Sequence, residues 1–158
     1  MAGWVPMAIV ASAVALGVAP CPPAAAQQRG GSITYASAGE IASLDPHVSG
    51  SLVELEMIHH LFEGLVAMDE GYNARPMLAA SVEVTPDARR FRFVLRRGVK
   101  FHNGDTMTSA DVLASFQRYA RVSNNAAILD EVASYDAPDP QTFVVNLKGT
   151  NAVFLDLL

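Results

Sequence analysis

The most regular alternation of hydrophobic and polar positions runs from residue 90 to residue 96. Every second residue there is Phe or Leu, and the others include three arginines. This period of two predicts a strand with one buried face. A shorter alternation covers residues 82–84, and Pro86-Asp87 between the two segments favours a turn. The pattern therefore predicts a β-hairpin.

Two segments show helical spacing of apolar residues instead. One covers residues 109–120, and Thr108 stands three residues before Asp111, a spacing typical of a capping box. The other covers residues 51–62. Its predicted buried face consists of Leu52, Leu55, Ile58 (or His59) and Phe62.

The rest of the chain after residue 30 alternates between short apolar runs and turn residues. Together these segments predict a mixed α/β domain. The further predicted elements are strands at residues 32–36, 65–68 and 99–101, one helical turn at 77–80, a second hairpin from 132–135 and 142–147, and a helix that begins at residue 152 with Asn151 as its cap.

Composition narrows the class of protein. The 158 residues are 51% hydrophobic, carry a net charge of −5 and contain no basic run, which argues against nucleic-acid binding. Five arginines do cluster between residues 89 and 97. They predict a solvated strand face balanced by nearby acids, and an anion site is the alternative.

The N-terminus reads as an export signal. An apolar run at residues 7–19 is too short to span a bilayer, and Ala24-x-Ala26 is a small-residue cleavage site. We therefore predict a signal peptide at residues 1–26 and a periplasmic location. The alternatives are a lipid anchor on Cys21, the only cysteine, and a retained membrane helix.

Four motifs in order along the chain resemble those of the family 5 extracellular solute-binding proteins, the oligopeptide-, dipeptide- and nickel-binding receptors of bacterial ABC importers. Two departures are Val82, where the family has Trp, and Ala88, where its turn has Gly. The four motifs are Leu44-Asp45-Pro46-His47, Leu61-Phe62-Glu63-Gly64-Leu65, the P-x-L-A-x-S run at residues 76–81, and the segment 91–116 with its F-x-F-x-L-R-x-G-V-K-F-H-x-G start.

The resemblance implies the N-terminal portion of a two-lobed periplasmic binding protein, type II-like. After the signal peptide, residues 27–50 would be the first strand and cleft loop of the large lobe. Residues 51–158 would be a smaller α/β subdomain, truncated at its C-terminal end. Family members enclose a ligand between two lobes, so half of the cleft is expected to be missing.

By the same resemblance, Ser37 and Glu40 are the predicted ligand-binding residues, with an exposed loop acid as the alternative for Glu40. We predict no catalytic residue, no cofactor and no metal site, since the four histidines, at positions 47, 59, 60 and 102, show no metal-ligand spacing. The expected partners are a peptide or similar small solute and the permease subunits of an ABC importer, and the receptor is expected to be a monomer. A secreted enzyme or a stand-alone interaction domain of related ancestry is the alternative function. The solute itself is not specified.

Overall fold

The computed structural model describes residues 31–158. The chain divides into two units, residues 1–36 and residues 37–158. The predicted signal peptide and Cys21 lie outside the described residues. Residues 31–36 belong to no helix or strand, so the strand predicted at 32–36 is wrong. A strand needs a hydrogen-bonded neighbour, and the strands of the described region pair with one another instead. The boundary expected between residues 50 and 51 stays a prediction.

The second unit is a mixed α/β structure with two antiparallel sheets, and its strand order is β1-β2 in one and β3-β4-β6-β5 in the other. Two 3-10 turns complete it, at Ala126–Glu131 and Phe154–Leu157. None of the helices formed by residues 31–158 is long and apolar enough to cross a membrane. The helices and strands are α1 (Leu52–Leu61), β1 (Val66–Met68), β2 (Ala74–Pro76), β3 (Ala79–Val84), β4 (Arg90–Leu95), α2 (Ser109–Val122), β5 (Val132–Asp139) and β6 (Thr142–Leu147).

The core lies between α2 and one face of the four-stranded sheet. The alternating apolar residues of β4 are fully buried, as predicted, and Phe93 pairs in register with Phe143 of β6. Phe116 of α2 packs on Phe143 with the ring centroids 5.0 Å apart. Tyr135 of β5 stacks on the same Phe143 ring at 5.9 Å. Both predicted hairpins are therefore confirmed, and they share one aromatic cluster.

The opposite face of the sheet is mostly polar, although it also carries Val94 and the buried Val144. Arg92 donates to Glu83 across the β3–β4 pair at 3.0 Å, and Asn146 donates to Asp136 across β5–β6 at 2.8 Å. Cross-strand pairs of this kind stabilise a solvated face. The contact of Arg92 agrees with the prediction that arginines of this segment are balanced by nearby acids.

Three further local predictions are wrong. Residues 99–101 form no strand and contribute only an isolated bridge between Lys100 and Thr106. The helical turn predicted at 77–80 is instead the start of β3, where Ala79 pairs with Leu95. A run of four apolar residues does not distinguish helix from strand, and the distant partner decides. The helix predicted from residue 152 is only the 3-10 turn Phe154–Leu157, although Asn151 Oδ1 does accept a hydrogen bond from Val153 N at 3.0 Å.

The buried face of α1 also differs from its prediction. Ile58 is buried, but Leu52 is 80% exposed and Phe62 is 45% exposed. In their place the helix buries Glu54, which is 7% exposed. Apolar spacing gave the wrong buried face because the Glu54 carboxylate has hydrogen-bond partners outside the helix, which allow it to be buried.

The Ala-for-Gly departure at residue 88 lies in the turn between β3 and β4. Ala88 has a φ of 49°, in the left-handed region that favours glycine. We expect Ala88→Gly to raise the free energy of unfolding by about 0.5–1 kcal/mol, because relief of this strain outweighs the added freedom of the unfolded chain. Urea denaturation measures the change. Ala114→Gly, on the exposed side of α2, is the matched control and should destabilise by about 1 kcal/mol. Equal losses in both variants would contradict the strain at residue 88.

Candidate functional site: a loop held by two helices

The predicted ligand-binding residues, Ser37 and Glu40, lie on an exposed stretch that bends at residues 38–39. A Cβ atom on Gly39 would lie 3.7 Å from Val53 Cγ2, so the bend runs beside the start of α1. The structure places Ser37 and Glu40 on the two sides of this bend, with both residues open to solvent. They lead directly into a loop with a defined shape.

That loop covers residues 41–49 and is shaped by its own polar groups. Asp45 Oδ1 accepts a hydrogen bond from His47 N at 3.0 Å, and Ser43 Oγ accepts one from Asp45 N at 3.0 Å. The Asp45 carbonyl accepts from the backbone N–H groups of Val48 and Ser49. Short polar side chains favour turns through such contacts. Asp45-Pro46 therefore begins a turn.

Glu54 of α1 holds the beginning of the loop. Its Oε1 atom accepts hydrogen bonds from Ala42 N at 3.1 Å and Ser43 N at 3.0 Å. Burial raises the pKa of the Glu54 carboxyl, but hydrogen bonds from Ser43, Ser51 and Ala42 outweigh it and bring the pKa below its ordinary value. Glu54 is therefore an ionised carboxylate near neutral pH, with its partners supplied by the loop backbone.

The sequence does contain a pattern that indicates the position of Glu54 in α1, although it is not a pattern of apolar residues. Ser51 and Glu54 stand in the S-x-x-E order of a capping box. Ser51 caps α1, and its Oγ accepts from Glu54 N at 3.2 Å. This cap places Glu54 in the first turn of the helix, next to the loop that it binds.

Arg118 of α2 holds the other end of the loop. Its Nη1 atom donates to Asp45 Oδ1 at 2.8 Å, and Nη2 donates to Asp45 Oδ2. The same Nη1 lies 2.8 Å from His47 Nδ1, and Ser115 Oγ lies 3.2 Å from His47 Nε2. We call these four residues the Arg118 cluster: Asp45, His47, Ser115 and Arg118. A two-pronged arginine–carboxylate contact fixes orientation as well as distance.

The cluster changes the protonation of its members. The side-chain hydrogen bond from Arg118, and then the backbone hydrogen bond from His47, lower the pKa of Asp45 to about 2. The pKa of Arg118 is raised, chiefly by its hydrogen bond to Asp45. Burial and then the charge of Arg118 lower the pKa of His47, and Asp45 opposes them only in part. At neutral pH the cluster therefore contains one carboxylate, one guanidinium and a neutral imidazole.

The Arg118 cluster borders a groove of about 710 Å³ between α1 and α2. Its walls are mainly apolar and include Ile58, Phe62, Val112 and Phe116. Two of these wall residues also belong to the packing of the core: Val112 is part of the core, and Phe116 packs against it.

The remaining histidines do not join the cluster. His59, His60 and His102 are exposed, and His60 Nδ1 lies 2.7 Å from the Glu56 carbonyl oxygen. Within residues 31–158, no group of three or more His, Cys, Asp or Glu side chains is placed to hold a metal ion.

The model of the bacterial extracellular solute-binding proteins, family 5 Middle, matches residues 73–158. The chain belongs to this family. The glutathione-binding protein GsiB of Escherichia coli strain K12 is 26% identical over 148 residues. That alignment covers 92% of this chain and 29% of the relative, so the chain spans less than a third of the relative's length. The relatives of this family are binding proteins and not enzymes, in agreement with the sequence prediction.

Solved structures of the family show the same fold. The binding protein AgaA of A. tumefaciens R10, in complex with agropinic acid, is 34% identical with a TM-score of 0.70, and the match covers 76% of this chain and 25% of that one. NikZ of Campylobacter jejuni, in complex with Ni(L-His), is 26% identical with a TM-score of 0.67 over 76% of this chain and 24% of that one. The described chain thus corresponds to about a quarter of a periplasmic binding protein.

We expect Glu54→Gln to loosen the start of the loop. Glutamine keeps an acceptor oxygen but loses the charge, and charge-assisted hydrogen bonds are roughly twice as strong as neutral ones. The Ala42 and Ser43 amides should exchange with solvent about tenfold faster at pH 7. Hydrogen exchange with mass spectrometry measures this.

Glu70→Gln is the control for Glu54→Gln, since Glu70 is an exposed acid in the turn between β1 and β2. It should leave the exchange of both amides unchanged. Unchanged exchange in Glu54→Gln itself would show that the carboxylate does not hold the loop.

Proposed function

We propose that this chain is the N-terminal part of a periplasmic solute-binding component of an ABC importer, which captures peptides or similar small solutes for transport. The observation that carries the proposal is membership of the family 5 solute-binding proteins. In this proposal residues 1–26 direct export, the receptor acts as a monomer, and it delivers its solute to permease subunits in the membrane. A lipid anchor on Cys21, which would hold the receptor at the membrane, is the less favoured alternative.

We assign the ligand contacts to Ser37 and Glu40. Both are exposed and precede a loop that Glu54 and the Arg118 cluster hold in place. A rigid support of this kind favours binding because little freedom is lost when the ligand arrives. The Glu40 carboxylate is suited to accept a charge-assisted hydrogen bond from an ammonium or amide group, and the Ser37 hydroxyl both donates and accepts.

The ligands named for the relatives support a peptide-like solute. GsiB is a glutathione-binding protein, and glutathione carries an ammonium group and amide bonds. A structure of OppA from Haemophilus influenzae, which is 28% identical with a TM-score of 0.66, contains the peptide RPPGFSPFR. An ammonium group is the feature of these solutes that a free carboxylate on an exposed bend recognises.

A chimera tests the proposed function. Residues 32–158 of this chain replace the aligned segment of the E. coli glutathione-binding protein, and calorimetry measures glutathione binding. We expect the chimera to bind glutathione. Glu40→Gln in the chimera should weaken binding by about 10- to 100-fold, the range expected for loss of a hydrogen bond to a charged group.

Glu70→Gln in the same chimera removes an equal charge away from the bend and should not change the affinity. The isolated 158-residue chain should bind weakly, because the facing lobe is supplied only in the chimera. A chimera that unfolds cooperatively and binds neither glutathione nor any member of a peptide library would contradict the receptor function. Equal affinities for the parent and the Glu40→Gln chimera would contradict the role of Glu40.

A further inference from the structure

The contacts of His47 define its protonation state. Arg118 has only hydrogen-bond donors, so His47 Nδ1, which lies 2.8 Å from Arg118 Nη1, must accept. In a neutral imidazole the other nitrogen then carries the hydrogen. Nε2–H accordingly donates to Ser115 Oγ at 3.2 Å. The geometry holds only while His47 is neutral.

Protonation would place two donors against each other. An imidazolium has hydrogens on both nitrogens, so Nδ1–H would point at the Arg118 guanidinium. Two neighbouring cations would then compete for the Asp45 carboxylate, which already receives both prongs of Arg118. The imidazolium is expected to leave the Arg118 cluster while Asp45 and Arg118 stay together.

The other groups around His47 do not replace this contact. From α2, the Tyr119 ring meets the imidazole edge-on, with the centroids 5.6 Å apart. His59 of α1, Glu63 just after that helix and Asp111 of α2 line the same groove. No hydrogen bond joins any of these side chains to the His47 imidazole in the described structure. Within residues 31–158, Asp45 is the acid whose charge acts on the His47 imidazole, and Arg118 already occupies its carboxylate.

We infer that His47 is a proton-dependent contact between residues 47–49 and α2, which acidification releases while Glu54 and the Asp45–Arg118 pair continue to hold the first part of the loop 41–49. Release of His47 would loosen residues 47–49, which lead into α1.

The surroundings of the His47 imidazole determine the pH range in which its contact with α2 is lost. Burial and the charge of Arg118 lower the pKa of His47 below its ordinary value of 6.5. As the pH falls below 6.5, the unfolded or released form takes up its proton first. The contact therefore contributes fully above pH 6.5 and is lost as the pH falls through the lowered pKa of the folded state.

Hydrogen exchange of the 158-residue chain at pH 7.5 and pH 5, corrected for the intrinsic pH dependence of exchange, tests the inference. We expect the amides of residues 47–49 to be about tenfold less protected at pH 5, which corresponds to the loss of one or two hydrogen bonds. His47→Gln should abolish this change, because glutamine accepts from Arg118 and donates to Ser115 but does not titrate. His102→Gln, at an exposed histidine in a turn, should keep the wild-type response.

A second measurement applies even if His47→Gln does not fold. The ¹⁵N chemical shifts of the imidazole in the wild-type chain should show the Nε2–H tautomer at pH 7.5 and titration below pH 6.5. An Nδ1–H tautomer, titration above pH 6.5, or an unchanged pH response in a folded His47→Gln variant would overturn the inference. Neither measurement uses a ligand, so its outcome is independent of whether the chain binds a solute.

Discussion

The packing of α2 against the four-stranded sheet is the contact on which the rest of the described structure depends. Phe116 lies on the rings of Phe143 and Tyr135, with centroids 5.0 and 5.6 Å away. The start of the helix is tied to the turn between β5 and β6, since Ser109 N donates to the Pro140 carbonyl at 2.9 Å. Aromatic side chains bury a large apolar area, so this packing fixes the helix firmly.

The fixed helix then determines where the loop lies. Ser115 and Arg118 are three residues apart on α2, a spacing that places them on one face of the helix. From that face they reach His47 and Asp45 of the loop. Glu54 acts in the same way from α1. The loop that leads from the proposed ligand contacts is thus connected to the core by a few polar groups.

Sequence patterns predicted those helices, strands and turns that are determined by residues close together in the chain. The alternation in β4, the turn at Pro86-Asp87 and the capping box at Thr108 each depend on residues close together in sequence. Apolar spacing predicted the end of β3 at residues 82–84 but not its start at residue 79, because the start is defined by pairing with β4.

The site was harder to predict from sequence. Arg118 lies within a helix and its partner Asp45 lies 73 residues earlier. An arginine within a helix reads as a solvated charge, and no local pattern reveals a partner at that separation. Glu54 could have been found from its capping-box spacing. The roles of Ser37 and Glu40 came from the family resemblance and stay predictions.

The pair of Asp45 and Arg118 carries the link from the core to the loop. A double-mutant cycle with Asp45→Asn and Arg118→Gln, read by amide exchange of residues 42–49 at pH 7, measures that link directly. Each single variant should speed the exchange, and the double variant should be no faster than the faster single one, because both remove the same contact. Effects that multiply in the double variant would show that the two residues act independently and that their contact does not link the loop to the core.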